Sequence, residues 1–269
     1  MPSVRDIVDR DPEADPITVL TAYDTPTARI VDEAGIDMIL VGDSIGDAVL
    51  GHDSSLPVGL DTIATHTAAV SRGVEDALVV ADLPFLSYGV SESESIRNAG
   101  RMLKEAGAGA VKLESGPHTV ALTERLVELG IPVQAHLGLT PQHINRVGLQ
   151  RQGTDEAAAA EILDLAEAHQ EAGAFSLVLE HVPANLAAIV TEELDIPTIG
   201  IGAGPETDGQ VLVINDVVGL SERPPPFAKA FGDVRGEIKA ATAAYRDAVV
   251  EGSFPGEEET YVEEGLELD

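Results

Sequence analysis

Apolar residues in this chain fall into short, nearly unbroken runs, and most of these runs end on a polar residue. Met38–Val41 leads into Gly42, Asp43 and Ser44, and Ala77–Ala81 leads into Asp82. Gly109–Glu114 carries Lys112 and ends on Glu114, Ile131–Gly138 carries His136, and Phe175–Leu179 leads into Glu180. Ile17–Tyr23, Ile196–Ile201 and Val211–Ile214 are further runs of the same kind. Runs apolar on both faces predict strands of a parallel sheet covered by helices.

Helical patterns fill the intervals. Pro26–Ala34, with Asp24 or Thr25 as its cap, stops at Gly35. Asp61–Arg72, Ser93–Ala106, His118–Leu129, a long segment capped by Thr154 and reaching Ala172, and Pro183–Leu194 follow. A capping side chain at the start and a glycine at the end are what free backbone groups at helix termini require. Eight strands, six followed by an evident helix, predict an α/β fold, the (β/α)8 TIM barrel. An open doubly wound sheet is the competing architecture, but Gly200–Gly204 has G-x-G-x-G spacing and no dinucleotide fingerprint.

The predicted organisation is one barrel domain over residues 1–251, with a lead-in helix, Val4–Asp11, stopped by Pro12. A C-terminal helix, Val234–Val250, is expected to dock on the barrel or on a neighbouring subunit, and residues 252–269 form an acidic tail. The turn-rich segment Ile45–Val58 is too long for a connector and is expected to wall or cover a pocket.

Charge narrows the class of partner. Forty-seven acidic residues against sixteen basic ones give a net charge of −31, which disfavours nucleic acid and anionic membranes as partners. Hydrophobic residues at 44% argue against disorder. Carboxylate excess with only four lysines and no tryptophan resembles proteins of a high-salt cytoplasm, as in a halophilic archaeon. No cysteine excludes disulfides and thiolate chemistry, and no apolar stretch reaches signal-peptide or membrane-spanning character, so a cytoplasmic location is expected.

In a barrel, strand ends converge on one mouth, which makes Asp43, Ser44, Asp82, Lys112, Glu114, His136 and Glu180 neighbours. So many ionisable groups on apolar strands call for pairing or a bound cation. Carboxylates without thiols are hard donors suited to Mg2+ or Mn2+, and such an ion can stabilise an enolate. Lys112 and Glu114 share a strand face. The lysine can neutralise a substrate carboxylate or an enolate oxygen. A Schiff base needs a neutral lysine, which nearby carboxylates oppose. Glu180 ends the most apolar strand and suits removal of a carbon-bound proton. His136 has two readings, a substrate or proton-shuttle contact and a structural histidine. His66, His118 and His169 lie in helical segments and are expected at the surface. The residues thus point to metal-dependent chemistry α to a carbonyl.

An ordered set of motifs then resembles one family. It includes Leu20-Thr21-Ala22-Tyr23-Asp24, Val41-Gly42-Asp43-Ser44, Ala81-Asp82-Leu83-Pro84-Phe85, Val111-Lys112-Leu113-Glu114, Gly138-Leu139-Thr140-Pro141-Gln142 and Pro197-Thr198-Ile199-Gly200. Together, from about Ile17 to Pro255, they resemble the ketopantoate (3-methyl-2-oxobutanoate) hydroxymethyltransferase family. The resemblance implies a barrel of the phosphoenolpyruvate/pyruvate type and a homo-oligomer, commonly a homodecamer. It implies one Mg2+ per subunit held by Asp43, Asp82 and Glu114. Asp43, Ser44, Asp82 and Lys112 would contact the oxoacid, and Glu180 would be the proton acceptor. The implied donor is methylene-tetrahydrofolate or a related pterin, and the product is 2-dehydropantoate for pantothenate and coenzyme A synthesis. Two stretches depart from the family pattern: the short run Gly148–Gly153, and His181 beside Glu180. The competing functions are a carbon–carbon lyase of the isocitrate-lyase-like barrels, which usually need a cysteine, and a catalytically silent scaffold.

Overall fold

A computed structural model describes residues 3–11 and 15–263, so the stop at Pro12 and residues 264–269 of the acidic tail lie outside the described residues. Eight parallel strands close into a barrel in chain order: β1 (Ile17–Thr21), β2 (Met38–Val41), β3 (Leu78–Asp82), β4 (Ala110–Glu114), β5 (Val133–Gly138), β6 (Ser176–Glu180), β7 (Thr198–Ile201) and β8 (Gly209–Leu212). The helices are α1 (Val4–Val8), α2 (Thr25–Glu33), α3 (Ile45–Ala48), α4 (Leu60–Ser71), α5 (Glu92–Lys104), α6 (Val120–Glu128), α7 (Ile144–Val147), α8 (Glu156–Glu171), α9 (Ala184–Glu193), α10 (Ile214–Val217) and α11 (Val234–Glu251). The (β/α)8 barrel expected from the pattern of apolar runs is present.

Alternation along each strand divides the core. Ala135, Leu137, Leu177 and Leu179 face outward and pack with Ile162 and Ala166 of α8 and with Leu186, Ala187 and Val190 of α9. Truncating one such leucine to alanine costs about 2–5 kcal/mol. Met38, Leu40, Leu78, Val80, Ala110 and Val178 face inward with Ile17 and Ile199, and Ile7 of α1 joins this inner cluster at the ends where the strands begin. The lead-in helix thus closes the N-terminal end of the barrel with Ile7, and the partly buried Val4 packs beside it. The same inward parity, carried to the strand ends, aims Asp82, Lys112, Glu114, His136 and Glu180 at the opposite mouth.

The structure corrects several local expectations. Asp155, not Thr154, caps α8, because its side chain accepts from the Ala158 N–H at 2.9 Å. The Ile45–Val58 segment contains the short helix α3, and β8 starts at Gly209 rather than Val211. His169 is not a surface residue. It is fully buried between α8 and α6, with Nδ1 at 3.1 Å from Thr123 Oγ1. His66 is half-buried, and its Nδ1 lies 2.5 Å from the Tyr23 carbonyl oxygen.

By contacts the chain divides into two compact units, Met1–Ile214 with Pro226–Ala228, and Asn215–Pro225 with Lys229–Asp269. In the second, α11 starts on Asp233, whose side chain accepts from the Gly236 N–H, and ends on left-handed Gly252. None of its residues is buried. Among the described residues no helix is long and apolar enough to cross a membrane.

Candidate active site

Register sets the first pair. Asp82 is aligned with Lys112 across β3 and β4, and Lys112 Nζ lies 2.8 Å from Asp82 Oδ1. Both are buried, at 2% and 7% exposure. Asp43 comes to the same place from the turn after β2, where its backbone N–H donates to Asp82 Oδ2 at 2.8 Å. Gly42 makes that turn possible: a Cβ there would stand 2.7 Å from Ser44 Oγ and 3.4 Å from Asp82 Oδ2. Ser44 is anchored by the buried Tyr23, with hydroxyl oxygens 2.8 Å apart.

Charges in this cluster shift one another. Burial, then the neighbouring Asp82 carboxylate, raises the pKa of Asp43 to about 7. Burial pulls Lys112 downward, but Asp82, Asp43 and Glu114 outweigh it and hold the ammonium above its usual value. Lys112 is therefore a fixed cation, and the Schiff-base reading loses its chemical premise.

Glu114 ends β4 two residues beyond Lys112 and is 2% exposed. The backbone N–H of Gln142 donates to both its oxygens, at 2.9 and 3.1 Å, and His143 Nδ1 lies 3.4 Å from Oε2. The Gln142 side chain runs back to donate to Asp43 Oδ2 at 2.8 Å. Neither Gln142 nor its partner Tyr88 stood among the site residues read from strand ends. Gln142 lies in a 3-10 turn past β5, and its one sequence signal was the Gly138–Gln142 motif.

Two strands further round, β5 and β6 hold a second pair. His136 Nε2 lies 3.1 Å from Glu180 Oε2, with side chains 3% and 17% exposed. Neither ring nitrogen of His136 has an aligned hydrogen bond. Gly138 fixes the approach of these strands. Its φ is +95°, and a Cβ on it would stand 2.2 Å from the Glu180 carbonyl oxygen. That oxygen accepts from the Leu139 N–H at 2.8 Å. His181, at φ +50°, turns the chain away from Glu180, and its carbonyl accepts from the Gln152 N–H at 3.1 Å. The short Gly148–Gly153 run is thereby tied to the residue beside Glu180.

The donor set fits a hard cation. Asp82 Oδ1 is buried against the Lys112 ammonium at 2.8 Å without an aligned hydrogen bond, and the Asp43 carboxylate lies beside it. Among the described residues no three His, Asp or Glu side chains group closely enough to hold an ion by themselves. Mg2+ commonly takes only one or two carboxylates and fills its remaining positions with water and substrate oxygens.

Comparison with known proteins shows the family. A family model described as ketopantoate hydroxymethyltransferase matches residues 2–257. A 3-methyl-2-oxobutanoate hydroxymethyltransferase of Halobacterium salinarum is 64% identical over 98% of this chain and 97% of the relative. One from Haloarcula marismortui is 65% identical over 99% of both chains. Among solved structures, a phosphonopyruvate hydrolase in complex with oxalate and Mg2+ aligns with a TM-score of 0.60 at 14% identity, over 95% of this chain and 91% of that one. This last likeness bears on the fold alone. On the strength of its family match and its near full-length relatives, this chain, an enzyme of hydroxymethyl transfer, belongs to the ketopantoate hydroxymethyltransferase family.

Proposed function

We propose that the barrel mouth transfers a one-carbon unit from methylene-tetrahydrofolate, or a related pterin, to 3-methyl-2-oxobutanoate, giving 2-dehydropantoate. The observation that carries this reading is the buried Asp43–Asp82–Lys112 cluster, a charged recess two strands from Glu180. Asp43 and Asp82 would hold Mg2+, with Glu114 as the third carboxylate of the recess. The ion would supply Lewis-acid polarisation of the oxo group α to the carbon that reacts.

Lys112 is placed to neutralise the oxoacid carboxylate or the developing enolate oxygen, since its own carboxylate neighbours keep it charged. Ser44 would donate a hydrogen bond to the same acid, with Tyr23 fixing its hydroxyl. Glu180 takes the C3 proton of the oxoacid. The C3–H electron pair becomes the enolate, whose carbon attacks the methylene carbon of the donor. Water supplies the hydroxyl of the product as the carrier leaves. Assembly into a homo-oligomer and a cytoplasmic location belong to the same reading.

The test is turnover of both substrates by the full chain in molar KCl. Activity is expected to vanish with EDTA and to return with Mg2+. Full activity after exhaustive chelation would overturn the metal in this proposal, and no turnover with either carrier would overturn the reaction.

A further inference from the structure

We infer that Gln142 and Tyr88 form a neutral clamp that sets the spacing of Asp43 and Glu114, which makes both of them positioning residues. The inference rests on the metal reading above and adds residues that the strand-end argument did not reach.

Gln142 turns its backbone N–H and both polar atoms of its side chain on the carboxylate recess. Its backbone N–H spans both oxygens of Glu114. Its side-chain Nε2 donates to Asp43 Oδ2 at 2.8 Å and to the Leu83 carbonyl at 3.0 Å. Its Oε1 accepts from the Tyr88 hydroxyl at 2.8 Å. That hydroxyl in turn accepts from the Glu114 backbone N–H at 3.1 Å. One amide therefore ties together the ends of β2, β3, β4 and β5. Its orientation is fixed, because reversing it would set Oε1 against the Leu83 carbonyl, oxygen to oxygen.

Neutrality is what makes the clamp useful. The recess already contains one cation, Lys112. A second cation in place of the amide would hold the carboxylates equally well but cancel the charge that attracts a divalent ion. An amide donates hydrogen bonds without adding charge, so it orients Asp43 and Glu114 and leaves their attraction intact. Tyr88 does the same for the amide, and it is fixed from the other side. It belongs to the loop in which Leu86 takes a left-handed φ of +60° and Asn98 of α5 donates to the Ser87 carbonyl at 2.6 Å.

A control for a merely structural amide lies two residues before His136, on the same face of β5. Gln134 is 2% exposed and donates to Ser176 Oγ at 2.9 Å. Mg2+ titration by calorimetry on full-length Gln142→Met, Tyr88→Phe and Gln134→Met, beside the parent chain in molar KCl, reads the clamp. Gln142→Met is expected to bind Mg2+ about 10–100-fold more weakly. Tyr88→Phe should lose less, and Gln134→Met should bind as the parent does even where its melting temperature falls. Parental affinity in Gln142→Met, or an equal loss in Gln134→Met, overturns the inference. If the parent itself takes up no Mg2+, the metal reading fails, and a crystal structure of Gln142→Met decides the clamp. A displaced Asp43 carboxylate upholds it, and an unmoved one overturns it, while the backbone N–H of residue 142 goes on holding Glu114.

Discussion

The two sides of the barrel mouth are built to opposite rules. On β2–β4, Asp43, Asp82, Lys112 and Glu114 are buried and held by one another, by backbone donors and by Gln142. On β5–β6, Glu180 is partly open, and the nearby His136 has no aligned hydrogen bond at either ring nitrogen. Groups that must hold a fixed charge pattern gain from being locked in place, because preorganised charge needs no rearrangement during reaction. A group that must take up and return a proton gains from having few competing partners. The contrast is what the proposed reading asks for, with binding on the first side and proton transfer on the second.

The sharpest way to break this division is Glu180→Gln. Deuterium exchange at C3 of 3-methyl-2-oxobutanoate, followed by NMR without any one-carbon donor, is expected to fall by about 10²–10⁴-fold. Oxoacid affinity should stay close to parental, because the binding side is untouched. Exchange at the parental rate would move the base elsewhere, and a collapse of affinity would show that the two sides are not separate.

Lys112→Met tests the other side. It leaves Asp82 buried without its counter-charge, and breaking such a pair costs about 3–5 kcal/mol. Denaturant unfolding in EDTA should show this loss. The double variant Lys112→Met/Asp82→Asn should recover much of it, because the stranded charge is gone. A single variant as stable as the parent would mean that the buried Asp82 carboxylate does not need the ammonium.

Much of this was legible in the chain itself. Near-continuous apolar runs can be satisfied only by strands covered on both faces, and the two-residue period then aims Lys112 and Glu114 the same way. Residues beyond the strands were harder to read, because a turn has no period. Gln142 and Tyr88 owe their positions to a 3-10 turn and to a loop with left-handed Leu86, and apolar patterning encodes neither. His169 was legible and misread. With Ile162 and Ala166 it lies on the buried stripe of α8 at helical spacing, but a polar side chain in an alanine- and glutamate-rich segment suggests a solvated face.

His169 now serves as the structural counterpart of His136. Burial lowers its pKa from 6.5 to about 4, so the folded state holds it neutral where the unfolded chain is protonated. A depressed pKa gives stability that is present above 6.5 and is lost as pH falls toward 4. Between pH 7.5 and about 4.5 this group should remove about 2–3 kcal/mol of stability at fixed KCl. His169→Gln should lose that much less over the same interval, although its stability at neutral pH drops. Parallel pH profiles for the two proteins would mean that Thr123 and Thr119 do not depend on a neutral ring.

The smallest expected effect falls on His136, and it separates the two readings of that residue. Nε2 stands 3.1 Å from Glu180 Oε2 but is not aligned with it, so a small rotation of either side chain would make a hydrogen bond. If the histidine relays the proton that Glu180 takes, His136→Asn should lower kcat about tenfold, which is about 1.4 kcal/mol in the barrier. KM for the oxoacid would then hardly change, and C3 exchange would slow by the same factor. If His136 contacts the oxoacid instead, KM should rise with kcat nearly unchanged, because an interaction made equally in ground and transition states alters binding alone. The geometry favours the first outcome. The carboxylate facing the ring belongs to Glu180, and the charged recess that would seat the oxoacid is built from β2–β4.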